Sequence, residues 1–172
     1  MHRLLSGRLL IFLVLLFALQ HAFSPLFEWI GGRVDFLYLA VLDYAFFQNW
    51  ELVAFFALVV GLVRDFAGGH LFGIETASLT SSGVLLWLGM PKLERESPWV
   101  RYGLVFLFVL ITEAIGFTLG SRLEAPGVSP GTLAVNLFVT TVGTTAAAPG
   151  FFWLTARWFR RTPSLKQYEL FR

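Results

Sequence analysis

The stretch VRYGLVFLFVLITEAIGFTLG, residues 100–120, decides how this chain folds. A helix needs about 20 apolar residues to cross the roughly 30 Å hydrocarbon core of a bilayer. This stretch is long enough, and past Arg101 its only charged residue is Glu113. We therefore expect it to be a transmembrane helix.

The composition of the whole chain points the same way. Of the 172 residues, 56% are hydrophobic and 14% are charged, whereas charged residues make up roughly a quarter of a typical soluble domain. The mean hydropathy is +0.71. We therefore expect a single integral membrane domain over residues 1–172, surrounded by membrane lipid. With no Cys and three His, we expect no disulfide, metal or cofactor, and we see no nucleic-acid-binding module.

Long apolar runs recur along the chain, and two shorter runs, 36–47 and 52–63, are separated by the turn signal Gln48-Asn49. We interpret the two short runs as a hairpin of short helices, so the fold class is an all-α polytopic membrane bundle of six transmembrane helices. The alternative is a four-span protein with a re-entrant hairpin. The predicted spans are residues 9–27, 35–48, 51–66, 72–90, 100–120 and 130–157, followed by a basic tail at 158–172.

The distribution of Lys and Arg predicts the orientation, because cytoplasmic loops are enriched in these residues. Six spans place both termini on one side. That side holds Arg3, Arg8, Lys92, Arg95, Arg101, Arg157, Arg160, Arg161, Lys166 and Arg172, and the other side holds Arg33, Arg64 and Arg122. We expect a multi-pass protein with both termini in the cytoplasm and the tail along the lipid surface.

Glu113 and Asp43 are carboxylates that lie in the interior of predicted spans, away from the span ends. A charged carboxylate near the bilayer centre costs about 2.5 to 3.5 kcal/mol on insertion scales. Glu113 should therefore face protein, as a ligand or partner contact, a buried ion pair, or a protonated carboxyl bonded to a neighbouring helix. Asp43 lies nearer the hairpin turn, where we expect plain hydration.

Small residues mark two helix-packing faces. Gly116 and Gly120 form a G-x-x-x-G pair, which lets helix backbones approach closely, either inside the chain or against a partner span. Gly143 and Ala147 form a second face among threonines, before Pro149 loosens or kinks the helix.

The sharpest local pattern is a four-step motif of Gly61, Asp65, Gly69 and Gly73, each four residues apart. Glycine permits close backbone approach and positive φ. Asp65 can then cap the amides of the following helix or pair with Arg64. The alternative is a simple connecting loop with an Arg that snorkels to the membrane surface.

No catalytic constellation accompanies these residues. Ser81-Ser82-Gly83 has no general base nearby in sequence, and Asp43 and Asp65 match no aspartyl protease motif. We therefore expect no enzymatic activity.

In length, number of spans and charge bias, the chain resembles the MreD family of bacterial rod shape-determining membrane proteins. The family carries a Gly, an Asp and two further Gly at four-residue steps at the end of the third span, which the four-step motif matches. Upstream, the family often shows Arg-Pro-Asp, where this chain has Arg33-Val34-Asp35 and lacks the proline.

The resemblance implies a six-helix fold similar to that of the substrate-binding subunits of energy-coupling vitamin transporters. It also implies a non-enzymatic role in cell elongation and peptidoglycan synthesis at the bacterial inner membrane. The implied partners are the scaffold protein MreC, a RodA-type glycosyltransferase and a penicillin-binding transpeptidase. Two alternatives remain: a substrate-binding subunit of a vitamin transporter, and a lipid-active enzyme that uses Glu113.

Overall fold

Six α-helices account for most of the described residues of the computed structural model, which are 7–28, 33–68, 71–89, 97–123 and 130–159. Within these ranges there is no strand, so the all-α class is confirmed. Each predicted span corresponds to one helix, and the ends agree within three residues. The predicted tail lies almost wholly outside the described residues. The helices are α1 (Gly7–Glu28), α2 (Phe36–Ala45), α3 (Trp50–Gly68), α4 (Ile74–Gly89), α5 (Pro98–Leu123) and α6 (Pro130–Phe159).

Two segments within these helices are long and apolar enough to cross a membrane by length and composition. They are Trp99–Ser121 in α5 and Ala134–Trp158 in α6. They point to association with a membrane.

The short helix α2 forms the centre of the bundle. Asp35 precedes it with an extended backbone, and its carboxylate accepts a hydrogen bond from the Tyr38 backbone N–H, which caps the helix start. Side chains on every face of α2 are buried, and all five other helices pack against it. Ten residues of helix cover only about 15 Å, which is half of the roughly 30 Å hydrocarbon core.

Consecutive helices run in alternating directions, as contacts at one end of the bundle show. Near the start of α1, the Phe12 ring lies 6.1 Å from Trp158 near the end of α6. The Trp87 indole near the end of α4 donates to the Gln48 carbonyl beyond α2, at 3.1 Å. The Phe46 ring, directly after α2, lies 6.3 Å from the Phe152 ring of α6. The start of α1 and the ends of α2, α4 and α6 therefore share one side, called here the chain-end side.

The outward faces of the other five helices are rich in large apolar side chains. Among the most exposed are Trp99 (83%) and Phe66 (79%). Further exposed examples are Ile11, Val14, Leu15, Phe55, Leu85, Leu88, Phe138 and Trp153. The bundle therefore has an apolar exterior around a core that contains charges.

Candidate functional site

A cluster of charged side chains lies at the start of α2, where α3, α4 and α5 meet the segment before α2. We define the charge cluster as Arg33, Asp35, Arg64, Glu75 and Glu113. These residues come from the segment before α2 and from α3, α4 and α5. They are joined by ion pairs and hydrogen bonds, and the Tyr38 hydroxyl joins two of the carboxylates.

Arg64 is the most buried cation of the cluster. Its side chain is 6% exposed, and it pairs with Asp35 and, at 3.2 Å, with Glu75. The guanidinium also lies 4.4 Å from the centre of the Tyr38 ring. The alternative of an Arg that snorkels to the surface is therefore wrong, because carboxylates and an aromatic ring inside the bundle hold this charge.

Glu113 faces protein, as predicted. Its carboxylate accepts a hydrogen bond from the Tyr38 hydroxyl at 3.0 Å and pairs with Arg33 at 3.2 Å. Of the contacts left open by the sequence, the structure shows an ion pair inside the chain, and this pair is partly buried. This answers how a carboxylate is accommodated in the middle of an apolar helix.

Asp65 caps α4, which confirms one of the two roles predicted for it. Its two carboxylate oxygens accept hydrogen bonds from the backbone N–H groups of Glu75 at 3.0 Å and Thr76 at 3.1 Å, and the Thr76 hydroxyl also donates to it. Negative charge at a helix start is stabilising because the first N–H groups lack partners within the helix. The cap places Glu75 at the cluster.

Two glycines of the four-step motif make this junction possible. A Cβ atom on Gly61 would lie 2.5 Å from the Thr76 Cα, so α3 and α4 approach closely only because residue 61 has no side chain. Gly73 has a φ of 102°, in the region that favours glycine. The predicted close approach and positive φ are thus confirmed, whereas Gly69 lies outside the described residues.

The threonine-rich face of α6 contacts the backbone of the segment before α2, which carries Arg33 and Asp35 of the charge cluster. The hydroxyls of Thr140 and Thr144 accept hydrogen bonds from the backbone N–H groups of Arg33 at 3.3 Å and Asp35 at 3.0 Å. Gly143 packs against Val34, whose side chain lies 3.3 Å from the position of an added Cβ. Ala147 packs against the core farther along this helix, so this small-residue face packs within the chain.

The two glycines of the G-x-x-x-G pair differ in their surroundings. A Cβ on Gly116 would lie 3.3 Å from the Ser78 hydroxyl oxygen on α4, so this glycine packs inside the bundle. A Cβ on Gly120 would meet no atom within 4 Å in the described part of the chain. One sequence pattern therefore contains one internal contact and one open position.

Asp43 corrects a prediction. We expected hydration near the hairpin turn, but Asp43 is only 4% exposed and its carboxylate lies 3.9 Å from the Arg101 guanidinium. Arg101 comes from the start of α5, far away in sequence, and it covers the end of α2. Hydration was wrong because this tertiary contact excludes water.

A cavity of about 160 Å³, open on one side, adjoins the charge cluster. Arg33, Arg64 and Glu75 form its charged lining, and the rest comes from α1 and the end of α3. The complete lining is Phe17, Gln20, His21, Arg33, Arg64, Ala67, Gly68 and Glu75. The cluster is therefore accessible to a small polar group.

No family model, curated protein or solved structure matches this chain. What the site can do follows from its own chemistry. Arginine stays protonated in proteins, so two cations face three carboxylates in a partly buried space. Among the described residues, no group of three or more His, Cys, Asp or Glu could hold a metal ion. The arrangement is suited to fixing helices in place and to binding a polar group.

Sequence reasoning missed four members of this site: Arg33 and Asp35 as charged partners, and Tyr38 and Glu75 altogether. In the sequence analysis, Arg33 entered the distribution of Lys and Arg, and Arg33 and Asp35 were the ends of a family triplet. The signal for Glu75 was available, since it lies ten residues after Asp65 at the start of an apolar run that the same Asp was expected to cap.

Proposed function

We propose that this chain is a six-span, non-enzymatic membrane subunit of the bacterial cell-elongation machinery, similar to MreD. In this role it binds a single-span scaffold protein similar to MreC. It thereby supports a RodA-type glycosyltransferase and its penicillin-binding transpeptidase in peptidoglycan synthesis. The proposed location is the cytoplasmic membrane, with both termini in the cytoplasm.

The α3–α4 junction is the observation that carries this proposal. Gly61, Asp65 and Gly73 belong to the four-step motif on which the resemblance to MreD rests. Each has its own role at the junction: close helix approach, a helix cap, and a backbone conformation that favours glycine. A motif with such position-specific requirements is a stronger basis for a family resemblance than hydropathy alone.

Three features support six spans. Consecutive helices alternate in direction, the outward faces are apolar, and all five other helices pack against α2. This packing answers the main objection to so short a span, because neighbouring helices cover most of its surface. Labelling of single cysteines added at positions 3 and 166 tests the orientation. We expect both to be protected from impermeant reagents in intact cells, and labelling of either one contradicts the topology.

The functional test combines partner recovery with cell shape. We expect tagged full-length protein to recover a single-span partner in mild detergent, and a deletion strain to form rounded cells that the wild-type gene returns to rods. Asp65→Asn weakens the α4 cap and should restore shape poorly. Glu51→Gln is the matched control, because Glu51 is an exposed carboxylate on the same helix.

Recovery of no partner, together with normal rods after deletion, contradicts the proposal. Equal rescue by Asp65→Asn and Glu51→Gln at matched protein levels contradicts the role assigned to the junction.

One observation favours a second candidate, the substrate-binding subunit of an energy-coupling vitamin transporter. The cavity beside the charge cluster is open, and its lining combines charged side chains with apolar residues, as a substrate site would. Its volume of about 160 Å³ is, however, below the roughly 300 to 1,000 Å³ usual for small-molecule sites. A vitamin that co-purifies with the protein in stoichiometric amount would favour this candidate over the first.

A further inference from the structure

The ring of helices around α2 is open between α1 and α3. Neighbouring pairs from α3 to α6 pack closely, whereas no Cα atom of α1 comes within 8 Å of one in α3 or α6 among the described residues. On the α6 side, the Phe12 ring of α1 contacts Phe151 and Trp158. The cavity lies in this opening, with Gln20 and His21 of α1 on one wall and Ala67 and Gly68 of α3 on the other. The charge cluster is therefore approachable from the side of the bundle.

The opening lies near one face of the proposed membrane. Ala67 and Gly68 are the last two residues of α3, and Glu75 is the second residue of α4. This is the side away from the chain ends, where lipid head groups meet the protein in a six-span topology. Exposed apolar side chains directly precede the lining residues in sequence, as Val63 (43%) and Phe66 (79%) do on α3. A cavity with charged lining residues beside exposed apolar side chains can bind an amphiphile, with its polar head group in the cavity and its apolar chains along the adjoining surface.

The charges of the cluster favour a particular head group. Two guanidinium groups and three carboxyl groups lie together, so the cluster offers both hydrogen-bond donors and acceptors to a ligand. Arg33 is 37% exposed and bonds Glu75 and Glu113 through Nη2. Its Nη1 is thus left as a donor among the described residues, and Arg is well matched to phosphate oxygens. Glu75, 16% exposed, can accept from an ammonium group.

We propose that this side opening binds the head group of a zwitterionic phospholipid with a primary ammonium, of the phosphatidylethanolamine class. The phosphate accepts from Arg33, the ammonium donates to Glu75, and the acyl chains lie along the exposed apolar surface of α1 and α3. Such a head group is neutral overall and carries both an acceptor for Arg33 and a donor for Glu75. The proposal rests on membrane embedding and not on the role in cell elongation.

Lipid competition on the wild-type protein tests this without any mutation. Full-length protein is exchanged into mixed micelles with phosphatidylethanolamine, phosphatidylcholine or phosphatidylglycerol, and retained lipid is measured by native mass spectrometry. We expect phosphatidylethanolamine to be retained roughly tenfold over phosphatidylcholine, because a trimethylated ammonium cannot donate a hydrogen bond to Glu75. Soluble phosphoethanolamine should compete at high concentration, and inorganic phosphate should not.

Two variants locate the site. Arg33→Gln and Glu75→Gln should each lower retention of phosphatidylethanolamine roughly tenfold, the effect of losing one charge-assisted hydrogen bond. Arg157→Gln is the matched control, an exposed Arg at the other side of the bundle that should leave retention unchanged. Equal retention of the three lipids by the wild-type protein overturns the proposal. So does unchanged retention in folded Arg33→Gln or Glu75→Gln protein. Neither result bears on partner recovery or cell shape.

Discussion

The two ends of α2 each place an arginine against aromatic rings, yet they are stabilised in different ways. At the start, Arg64 is 6% exposed, contacts two carboxylates and lies over Tyr38. At the end, Arg101 is 31% exposed, and the Asp43 carboxylate lies 3.9 Å from its guanidinium. Its guanidinium lies 4.9 and 4.7 Å from the centres of the Phe46 and Phe152 rings.

The two ends of α2 should lose different amounts of stability when one charged group is removed. A buried ion pair contributes little net stability, because desolvation offsets the attraction, but loss of one partner leaves the other charge buried and unpaired. A partly exposed arginine that loses its partner can still be solvated. We therefore expect the charged end of α2 to tolerate almost no single change and the aromatic end to tolerate most.

Asp35→Asn should produce the largest effect. Asp35 is fully buried, pairs with Arg64 and caps α2. Its neutralisation leaves Arg64 short of a partner, and we expect a loss of about 3 to 5 kcal/mol in the free energy of unfolding. Unfolding followed by circular dichroism in one detergent measures it. The double variant with Arg64→Gln should recover part of the lost free energy of unfolding. If Asp35→Asn alone costs less than about 1 kcal/mol, the charged end of α2 does not depend on this ion pair.

Gly61→Ala tests the charged end through packing instead of charge. The new Cβ would lie 2.5 Å from the Thr76 Cα, so the two helices must separate and weaken the Asp65 cap. We expect a loss of about 1 to 3 kcal/mol, the usual range for overpacking. Gly103→Ala on α5 is the control. A Cβ added there meets no atom of a neighbouring helix within 4 Å in the described parts of the chain, so this change should be neutral or stabilising by up to about 1 kcal/mol. Equal effects of the two changes would contradict the close approach.

Asp43→Asn should cost less, about 1 to 2 kcal/mol. It removes a long ion pair, and the Arg101 guanidinium that loses this partner is 31% exposed and stays beside the Phe46 and Phe152 rings. Thermal unfolding beside Asp35→Asn gives the direct comparison. If Asp43→Asn is as damaging as Asp35→Asn, Arg101 depends on its partner as strongly as Arg64 does, and the contrast between the two ends of α2 is lost.

Features set by local sequence could be predicted, and those set by distant partners could not. The helix positions follow from runs of apolar residues, and the Asp65 cap follows from glycines at four-residue steps beside it. The partners of Glu113 lie 80 and 75 residues away at Arg33 and Tyr38. Nothing local distinguishes them from other polar residues, and the same limit explains the mistaken hydration of Asp43.

Trp87→Phe should have the smallest effect, and it examines the aromatic end without touching any charge. The Trp87 indole donates one hydrogen bond to the Gln48 carbonyl, which ties the turn after α2 to α4. Phenylalanine keeps an aromatic ring there, and Gln48 is half-buried, so water can reach the freed carbonyl. We expect a loss of about 0.5 to 1.5 kcal/mol, that of one ordinary hydrogen bond. Hydrogen exchange should rise in residues 46–50 and stay unchanged at the start of α2. Faster exchange at both ends would mean that α2 responds as one unit and that its two ends are not independently stabilised.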